Sequence, residues 1–430
     1  MKRSATNAEG GQVMLLVTIL LLGGSMVIAS GTLTVAKNQV RVATENSIAK
    51  DTHALSEGAV EEVVYRHLQG MDVSATETLT ENGVSATVVT TNVGGGKRIH
   101  ATGALNGRER TTEVELRTGN SFSFSYGVQS DSGGIELDNS ASVIGDVFAN
   151  GDIIGHNKEM IYGNIVTGGP SGYVYEVRAT GSVRSHELED VYVEGDAYYQ
   201  VKDILTTVDG TEYPGSGDPA TSSLPLPESL LDQWQTEAEA DNITNSPCPY
   251  EIKNTTDTIS GKYTCGMKIT NSSVVTLDGP VWVVGDIEIE NSSAISINPA
   301  LGDKSIPIIV DDPSDRSGSG IITLKNSTTF AGTGDPRSFV FLISRNNDIS
   351  TGGSNAAIEI SNSAAGDLVL YTNGGMIQAE NNTTLTAAIA YKIFLKNSAQ
   401  AVYDTELDDI LFTSGSSTNT YVIDSWKEVE

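Results

Sequence analysis

The chain has 430 residues and a formal charge of −29, from 26 basic and 55 acidic side chains. That length is ample for two or three domains. The acidic balance, with no basic patch interleaved with aromatics, excludes nucleic acid as a partner. The two cysteines and five histidines form none of the clusters that hold zinc, so neither a metal nor another cofactor is expected.

Lys2 and Arg3 precede an uncharged run from Gly10 to Ala36, most apolar between Val13 and Ile28. As a helix that run extends about 40 Å, enough to cross a bilayer. The basic end should stay in the cytoplasm and the remainder outside. Residues 1–36 are therefore read as leader and transmembrane half. Residues 37–71 continue the helix without proline. Ile48, Leu55, Ala59, Val60, Val63, Val64 and Leu68 make its apolar stripe, with Gly70 as the stop. His53 and His67 are placed on its surface. Cleavage by an ordinary signal peptidase at Val27-Ile-Ala29 is the alternative, and the uninterrupted helix beyond argues against it.

Residues 72–120 read as a small antiparallel β-meander. Val84, Ala86 and Val88 alternate, 92–97 turns, and Glu113–Leu116 alternates again. Residues 121–205 hold Ile135-Glu-Leu137-Asp-Asn139-Ser and the corners Gly145-Asp, Gly151-Asp, Gly163-Asn and Gly195-Asp. They are read as the first turns of a β-solenoid. Residues 206–262 interrupt it as a linker excursion. It carries Pro214–Pro219, Leu224-Pro-Leu-Pro227 and a short helix over 228–240 with Leu230, Leu231 and Trp234 on one side.

Residues 263–430 read as the main solenoid with a carboxy-terminal cap. One phrase, apolar–x–apolar–x–Asn, ends at Asn271, Asn291, Asn326, Asn362, Asn381 and Asn397. Weaker copies around Val310 and Ser344 fill two double gaps, giving a period near 18, the signature of a solenoid. Strand alternation puts the Asn on the buried face with the apolar pair, as an inward corner column. Seven steps of about 4.8 Å then give a rod of about 34 Å, with the right-handed crossover of parallel strands. Of these, Asn271, Asn291, Asn326 and Asn381 sit in Asn-x-Ser/Thr matches that resemble sugar-attachment sites, but their spacing follows the repeat. Cys248 and Cys265 are expected to form a disulfide at the entry to this region, with a reduced pair as the alternative.

Two stretches carry a resemblance. Gly10-Gly-Gln-Val-Met-Leu-Leu-Val and Ala54-Leu-Ser-Glu57-Gly-Ala-Val-Glu-Glu resemble the first helix of minor pilins of the PilX type. The resemblance implies a leader cut by a prepilin peptidase after Gly10 or Gly11, and other pilin-like subunits as partners. The chain departs from the major pilins, which carry Glu at mature position five, in having Leu15 or Leu16 there. The closing segment, with Phe412 and Val422-Ile-Asp-Ser-Trp426, looks like that of long envelope proteins joining a PilX-like end to a β-solenoid, found in candidate phyla radiation bacteria. Phe412 and Trp426 would cap the open end of the rod.

The expected fold class is thus mainly β: a long pilin-like helix, a small meander, then a right-handed parallel β-helix. The expected function is a single-pass cell-envelope protein, structural and adhesive, with a surface polysaccharide or host-cell ligand. No catalytic residue is assigned. The runner-up is a membrane-anchored polysaccharide lyase or glycosidase on the same scaffold. Its best acid–base candidate is Asp311-Asp312-Pro-Ser-Asp315-Arg316, with Arg337 and Arg345 on later turns; the plain alternative is a solvated loop.

Overall fold

The computed structural model describes residues 9–68, 71, 73–81, 84–93, 96–118, 121–122, 126–362, 364–403, 410–412 and 421–429. The protein is mainly β with one long amino-terminal helix, an antiparallel sheet and a parallel sheet. It divides into two units, Met1–Thr118 with Thr418–Glu430, and Gly119–Ser417.

In the first unit, helix α1 spans Glu9–Leu68. Its apolar half contains a window of mean hydropathy 2.1, long and apolar enough by length and composition to cross a membrane. Met14, Leu15, Leu16, Leu20, Leu22, Val27 and Ile28 are all exposed. The other half is amphipathic, and its stripe finds a sheet. Ala59, Val60, Val63 and Val64 are buried against Ala86, Val88, Ile99, Ala101, Val114 and Leu116. The sheet is the expected meander: β1 (Thr76–Glu81), β2 (Val84–Val93), β3 (Gly96–Leu105) and β4 (Arg108–Thr118), paired antiparallel in sequence order. Helix and sheet approach closely at Gly103, where a Cβ would lie 2.6 Å from the Thr52 carbonyl oxygen. His67 is buried, not on the surface as expected. The expected stop, Gly70, lies outside the described residues.

A fifth strand corrects the expected cap. Tyr421–Val429 pairs antiparallel with β4, placing Trp426 opposite Val114. Lys427 Nζ lies 2.8 Å from Glu113 Oε1. The carboxy terminus thus completes the antiparallel sheet and does not close a solenoid. The strand Ile410–Phe412 pairs with Lys304–Ser305 and Ser121–Phe122, so it too lies away from an open end.

The second unit is built from parallel ladders. A typical turn has three short strands, as in Met267–Thr270 and the two halves of Val274–Val283. Each pairs in parallel with its counterpart one turn later: Met267 with Ile287, Val274 with Ala294, Val281 with Ile308. The alternating apolar side chains Met267, Ile269, Ile287, Ile289, Ile322 and Leu324 fill one continuous core. Their outward neighbours are charged, and Lys268 bridges Glu288 at 2.6 Å.

Two expectations about the repeat change. The segments around Val310 and Ser344 are not extra copies of the phrase. Lys304–Val310 and Val340–Ser344 form the third wall, and Ile287–Glu290 pairs directly with Ile322–Lys325 and that strand with Ile358–Ser361. The long gaps are single turns with larger loops. Asn271, Asn291, Asn326, Asn362, Asn381 and Asn397 are therefore successive turns, and their five steps span about 24 Å, not 34 Å.

The second change concerns order. The early coil does not supply the first turns, as expected; it continues the stack beyond the later coil. Ile135 pairs with Ile393, Val128 with Ala388 and Ser142 with Gln400, so all three walls continue across the junction. The stack starts at Ile243–Thr244, rises to Gln400–Val402, then continues with Val128–Leu137 and ends at Glu212–Pro214. The expected limits of the linker, 206 and 262, give way accordingly. Thr207–Val208 and Glu212–Pro214 are strands of the early coil, and Tyr250–Lys253 and Thr256–Tyr263 are strands of the later one.

What remains between Pro214 and Ile243 is a strap that returns the chain from one end of the stack to the other. Its helix α2 (Glu228–Asp241) buries Leu230, Leu231 and Trp234 against Ile309, Phe341, Ile343, Val369, Tyr371 and Ile389. The strap also touches the early coil: Asn150 Nδ2 donates to the Ser222 carbonyl at 2.7 Å and Gln129 to that of Ser223 at 3.2 Å.

Candidate functional site

The corner asparagines form a column, on the outside. Alternation would turn each Asn inward, but the backbone reverses there. Asn271, Asn291, Asn326, Asn362, Asn381 and Asn397 all have φ between 53° and 61°, and residues 272, 292, 327, 382 and 398 follow with φ of 58–65°. Two consecutive left-handed residues make a tight corner, and Asn tolerates that conformation better than other side chains with a Cβ. The second residue's N–H donates to the Asn carbonyl of the next turn: Ser272 to Asn291, Ser292 to Asn326 and Ser327 to Asn362, each at 2.9 Å.

The carboxamides then bond along the column. Asn326 Nδ2 donates to Asn291 Oδ1 at 3.0 Å, Asn362 to Asn326 at 3.5 Å and Asn397 to Asn381 at 3.4 Å. Thr270 bridges Asn291 and Asn271 through its hydroxyl. Asn271, Asn326 and Asn362 are exposed, and Asn291, Asn381 and Asn397 half-buried.

The buried corner position is two residues further on. Ser273, Ser293, Thr328, Ala364, Thr383 and Ala399 are each at most 1 % exposed. The hydroxyls of Ser273, Ser293 and Thr383 turn back to the carbonyls of Thr270, Glu290 and Glu380 at 2.6–2.7 Å. This column of small residues was present in the sequence at a fixed offset from the Asn, and the regular offset is the signal that could have found it.

A second column holds the glycine corners of the early coil. Asp146 Oδ1 accepts from the Asn164 N–H, Asn164 Oδ1 from Ser182 and Asp196 Oδ1 from Thr211, each at 2.8 Å. The preceding glycines are required by crowding. A Cβ on Gly163 would sit 2.3 Å from the Gly145 carbonyl oxygen, and one on Gly195 2.7 Å from the Gly181 carbonyl group. Gly151 belongs to a different corner, against Ser132.

Cys248 and Cys265 are disulfide-bonded, with Cα atoms 5.6 Å apart. The bridge links the segment before Tyr250–Lys253 to that before Met267–Thr270, two neighbouring strands. Gly10 and Gly11 lie in the first turns of α1.

The acid–base candidate is engaged elsewhere. Asp311 is fully buried, not in a solvated loop. Arg316 forks onto it at 2.8 and 2.9 Å, and the hydrogen bond to Asp311 holds the guanidinium pKa above its ordinary value. Gln235 of α2 donates to the same carboxylate at 2.8 Å. Arg345, only 4 % exposed, bonds Asp232 and Gln235 of α2 at 2.6 Å and also pairs with Glu228. Asp312 caps its own turn through Ser314, which lowers its carboxyl pKa. Arg337 stands apart, with Asp303 and Asp335. The arrangement clamps the strap helix to the stack and commits Asp311, Arg316 and Arg345 to that clamp. Among the described residues, no cluster of His, Cys, Asp and Glu is arranged to hold a metal ion.

No family model matches the chain, and no curated protein matches it. Among solved structures it is similar to the competence-associated pilin ComZ from Thermus thermophilus, at 8 % identity over 89 % of this chain and 97 % of that one, with a TM-score of 0.23. It is also similar to an ice binding protein from an Antarctic bacterium, Flavobacteriaceae, at 9 % identity over 65 % of this chain and 81 % of that one, with a TM-score of 0.13. Likenesses of this size carry no argument about fold or function.

Proposed function

We propose that this is a membrane-anchored protein of the cell envelope, pilin-like at its amino end, whose parallel stack is a right-handed β-solenoid that serves as a structural and adhesive surface without catalysis. One observation carries the reading. Helix α1 changes character along its length: its first half exposes its large apolar side chains from Met14 to Leu33, and its second half buries its stripe on the head sheet. A helix that was merely a cleaved signal would have no reason to continue into a packed half. An exposed apolar helix of this length is stable only in lipid or among other such helices.

The solenoid reading is supported by the parallel pairing of every turn with the next. The non-catalytic reading is supported by the ion pairs that occupy Asp311, Arg316 and Arg345. The Asn-x-Ser/Thr matches are proposed as corners, since their backbone and side chains are committed to the column.

The test is fractionation of cells with mass spectrometry of the mature amino terminus. The expected result is a membrane-bound chain beginning at Gly11 or Gln12. A chain beginning at Ser30 and released into the medium would overturn both the anchor and the pilin-like processing.

A further inference from the structure

A cavity of about 380 Å³ opens on the outer wall where the two parts of the stack meet. Lys392 comes from the last turn of the later coil, Glu136 from the first turn of the early coil, and Asp152 and Ile154 from the turn after. The cavity is therefore complete only once segments from opposite ends of the unit have stacked.

Its floor is bare backbone. Gly133 and Gly151 line it, and neither position admits a side chain: a Cβ on Gly133 would meet the Tyr391 carbonyl oxygen at 2.7 Å, one on Gly151 that of Ser132 at 2.5 Å. The ladder is irregular here, with a register shift between Ala390 and Lys392.

The charges are unequally used. Glu136 is saturated: Lys392 Nζ lies 3.0 Å from one oxygen and His156 Nε2 3.0 Å from the other. Burial opposes ionisation of Glu136, but these two hydrogen bonds outweigh it and hold the carboxyl below its ordinary range. The positive charge of Lys392 is thereby cancelled. Asp152 has no ion-pair or side-chain hydrogen-bond partner among the described residues. The uncompensated group in the cavity is a carboxylate, in a chain of net charge −29, which favours a cationic ligand. By register Phe394 and Ile154 flank Glu136, and Tyr175 follows Ile154. That row offers apolar surface beside hydrogen-bonding groups, the pairing a sugar ring requires.

We propose that this cavity binds a linear glycan bearing free amino groups, of the glucosamine type. Asp152 takes the ammonium, Ser132, the remaining N–H groups of Lys392 (held in place by Glu136) and the exposed peptide groups take hydroxyls, and the ring face lies along Ile154, with Phe394 beside the cavity by register. The volume holds one or two rings at a time, within the ordinary range for small-ligand sites. A flexible polyamine would satisfy Asp152 and leave the hydroxyl-binding groups unpaired. The assignment rests on the reading of the stack as an adhesive surface and is independent of the anchor.

The test uses the full chain in lipid nanodiscs and calorimetric titration with a β-1,4-linked glucosamine hexamer. Binding is expected, weakened about tenfold or more by Asp152→Asn and by Glu136→Gln, and about tenfold weaker for the fully N-acetylated hexamer. Glu359→Gln, on the same wall but outside the cavity, should change nothing. No binding at about millimolar hexamer, an unaltered affinity in Asp152→Asn, or equal affinity for spermine would overturn the proposal. Asp152 is exposed, and an unchanged melting temperature shows that its variant is folded. Flotation of the full chain reconstituted with liposomes in place of nanodiscs reports on the anchor separately, so loss of one result leaves the other standing.

Discussion

The carboxamide of Asn139 donates to that of Asn397 at 3.2 Å, across 258 residues of sequence. The two occupy the same corner of adjacent turns, and Ser398 N–H donates to the Asn139 carbonyl beside them at 3.0 Å. A column of asparagines whose last member in sequence is residue 397 continues at residue 139 in space. The corner is thus a property of the stack, and chain order is secondary to it.

The column gives the first prediction. At Asn326 two effects combine, the left-handed backbone (φ 59°) and the amide bonds to its neighbours. Asn326→Ala should cost about 1–2 kcal/mol, mostly from forcing alanine into that conformation. Asn326→Gly keeps the conformation and loses only the exposed amide bonds, so it should cost less than Asn326→Ala. Lys325→Ala, on the outer face, should cost under about 0.5 kcal/mol. Chemical unfolding of the three variants measures the order. Alanine and glycine variants of equal stability would show that the backbone conformation is not what the Asn supplies.

The glycine corners give the second. Gly195 stacks on Gly181, and its added Cβ would fall 2.7 Å from backbone atoms that cannot move without shifting a turn. Gly195→Ala should therefore destabilise by about 1–3 kcal/mol, as overpacking does. Gly217, in the strap with open space around it, should accept alanine with a change within about 0.5 kcal/mol. The comparison is by thermal unfolding, and a tolerated Gly195→Ala would mean that the turns can separate locally at little cost.

The sequence showed much of this and misplaced a specific part. The amphipathic half of α1, the meander and the helix over 228–240 were legible because each has a clean period and its own punctuation. The Asn column was legible as a spacing, but its direction was not. Alternation predicts an inward side chain at residue 271 only if the strand continues, and two left-handed residues end it. The long gaps after Asn291 and Asn326 look like missing copies because a repeat counted in residues cannot distinguish a longer loop from an extra turn. The joining of Ile135 to Ile393 has no local signal at all: any open turn edge of matching pattern could accept the early coil, and the strap decides by returning the chain to the far end. The repeat puts Arg345 on a turn after the acidic loop, which suggests a catalytic accessory; its partners Glu228 and Asp232 lie on a helix that the repeat does not place.

The strap supplies the third prediction. Trp234 is fully buried between α2 and the stack, and Arg345 is buried with it. Trp234→Ala should cost about 3–5 kcal/mol by the cavity left behind. Arg345→Ala leaves Asp311 with Arg316 and Gln235 still bonded, so it should cost less than the roughly 3–5 kcal/mol typical of an abandoned buried charge. Because the strap touches both parts of the stack, hydrogen exchange should rise in Trp234→Ala at Val128–Leu137 and Ala387–Leu395 together. Faster exchange confined to α2 would show that the strap lies on the stack without holding its parts together.

The last prediction concerns pH and the carboxy-terminal strand. Glu113 lies in β4 with little exposure, and three bases converge on it: Lys427 at 2.8 Å, His100 at 2.8 Å and Arg98 at 3.9 Å. The hydrogen bond from Lys427 is the main reason its carboxyl is held below the ordinary value of 4.5. The same bond raises the Lys427 ammonium pKa. A carboxyl with a depressed folded-state pKa stabilises the fold above its unfolded value and loses that contribution as the pH falls through the folded one. Pairing of Tyr421–Val429 with β4 should therefore be intact at neutral pH and weaken progressively below about pH 4.5, as the pH falls toward the depressed value at which the folded Glu113 takes up a proton. Lys427 itself stays charged throughout, so the loss does not come from the lysine. Glu113→Gln should give at pH 7 the weakening that the parent shows only in acid, and should remove most of the pH dependence. Amide exchange of the 421–429 strand from pH 3.5 to 7 in both proteins is the measurement. A parent strand equally protected across that range would show that backbone pairing alone holds the carboxy terminus to the sheet.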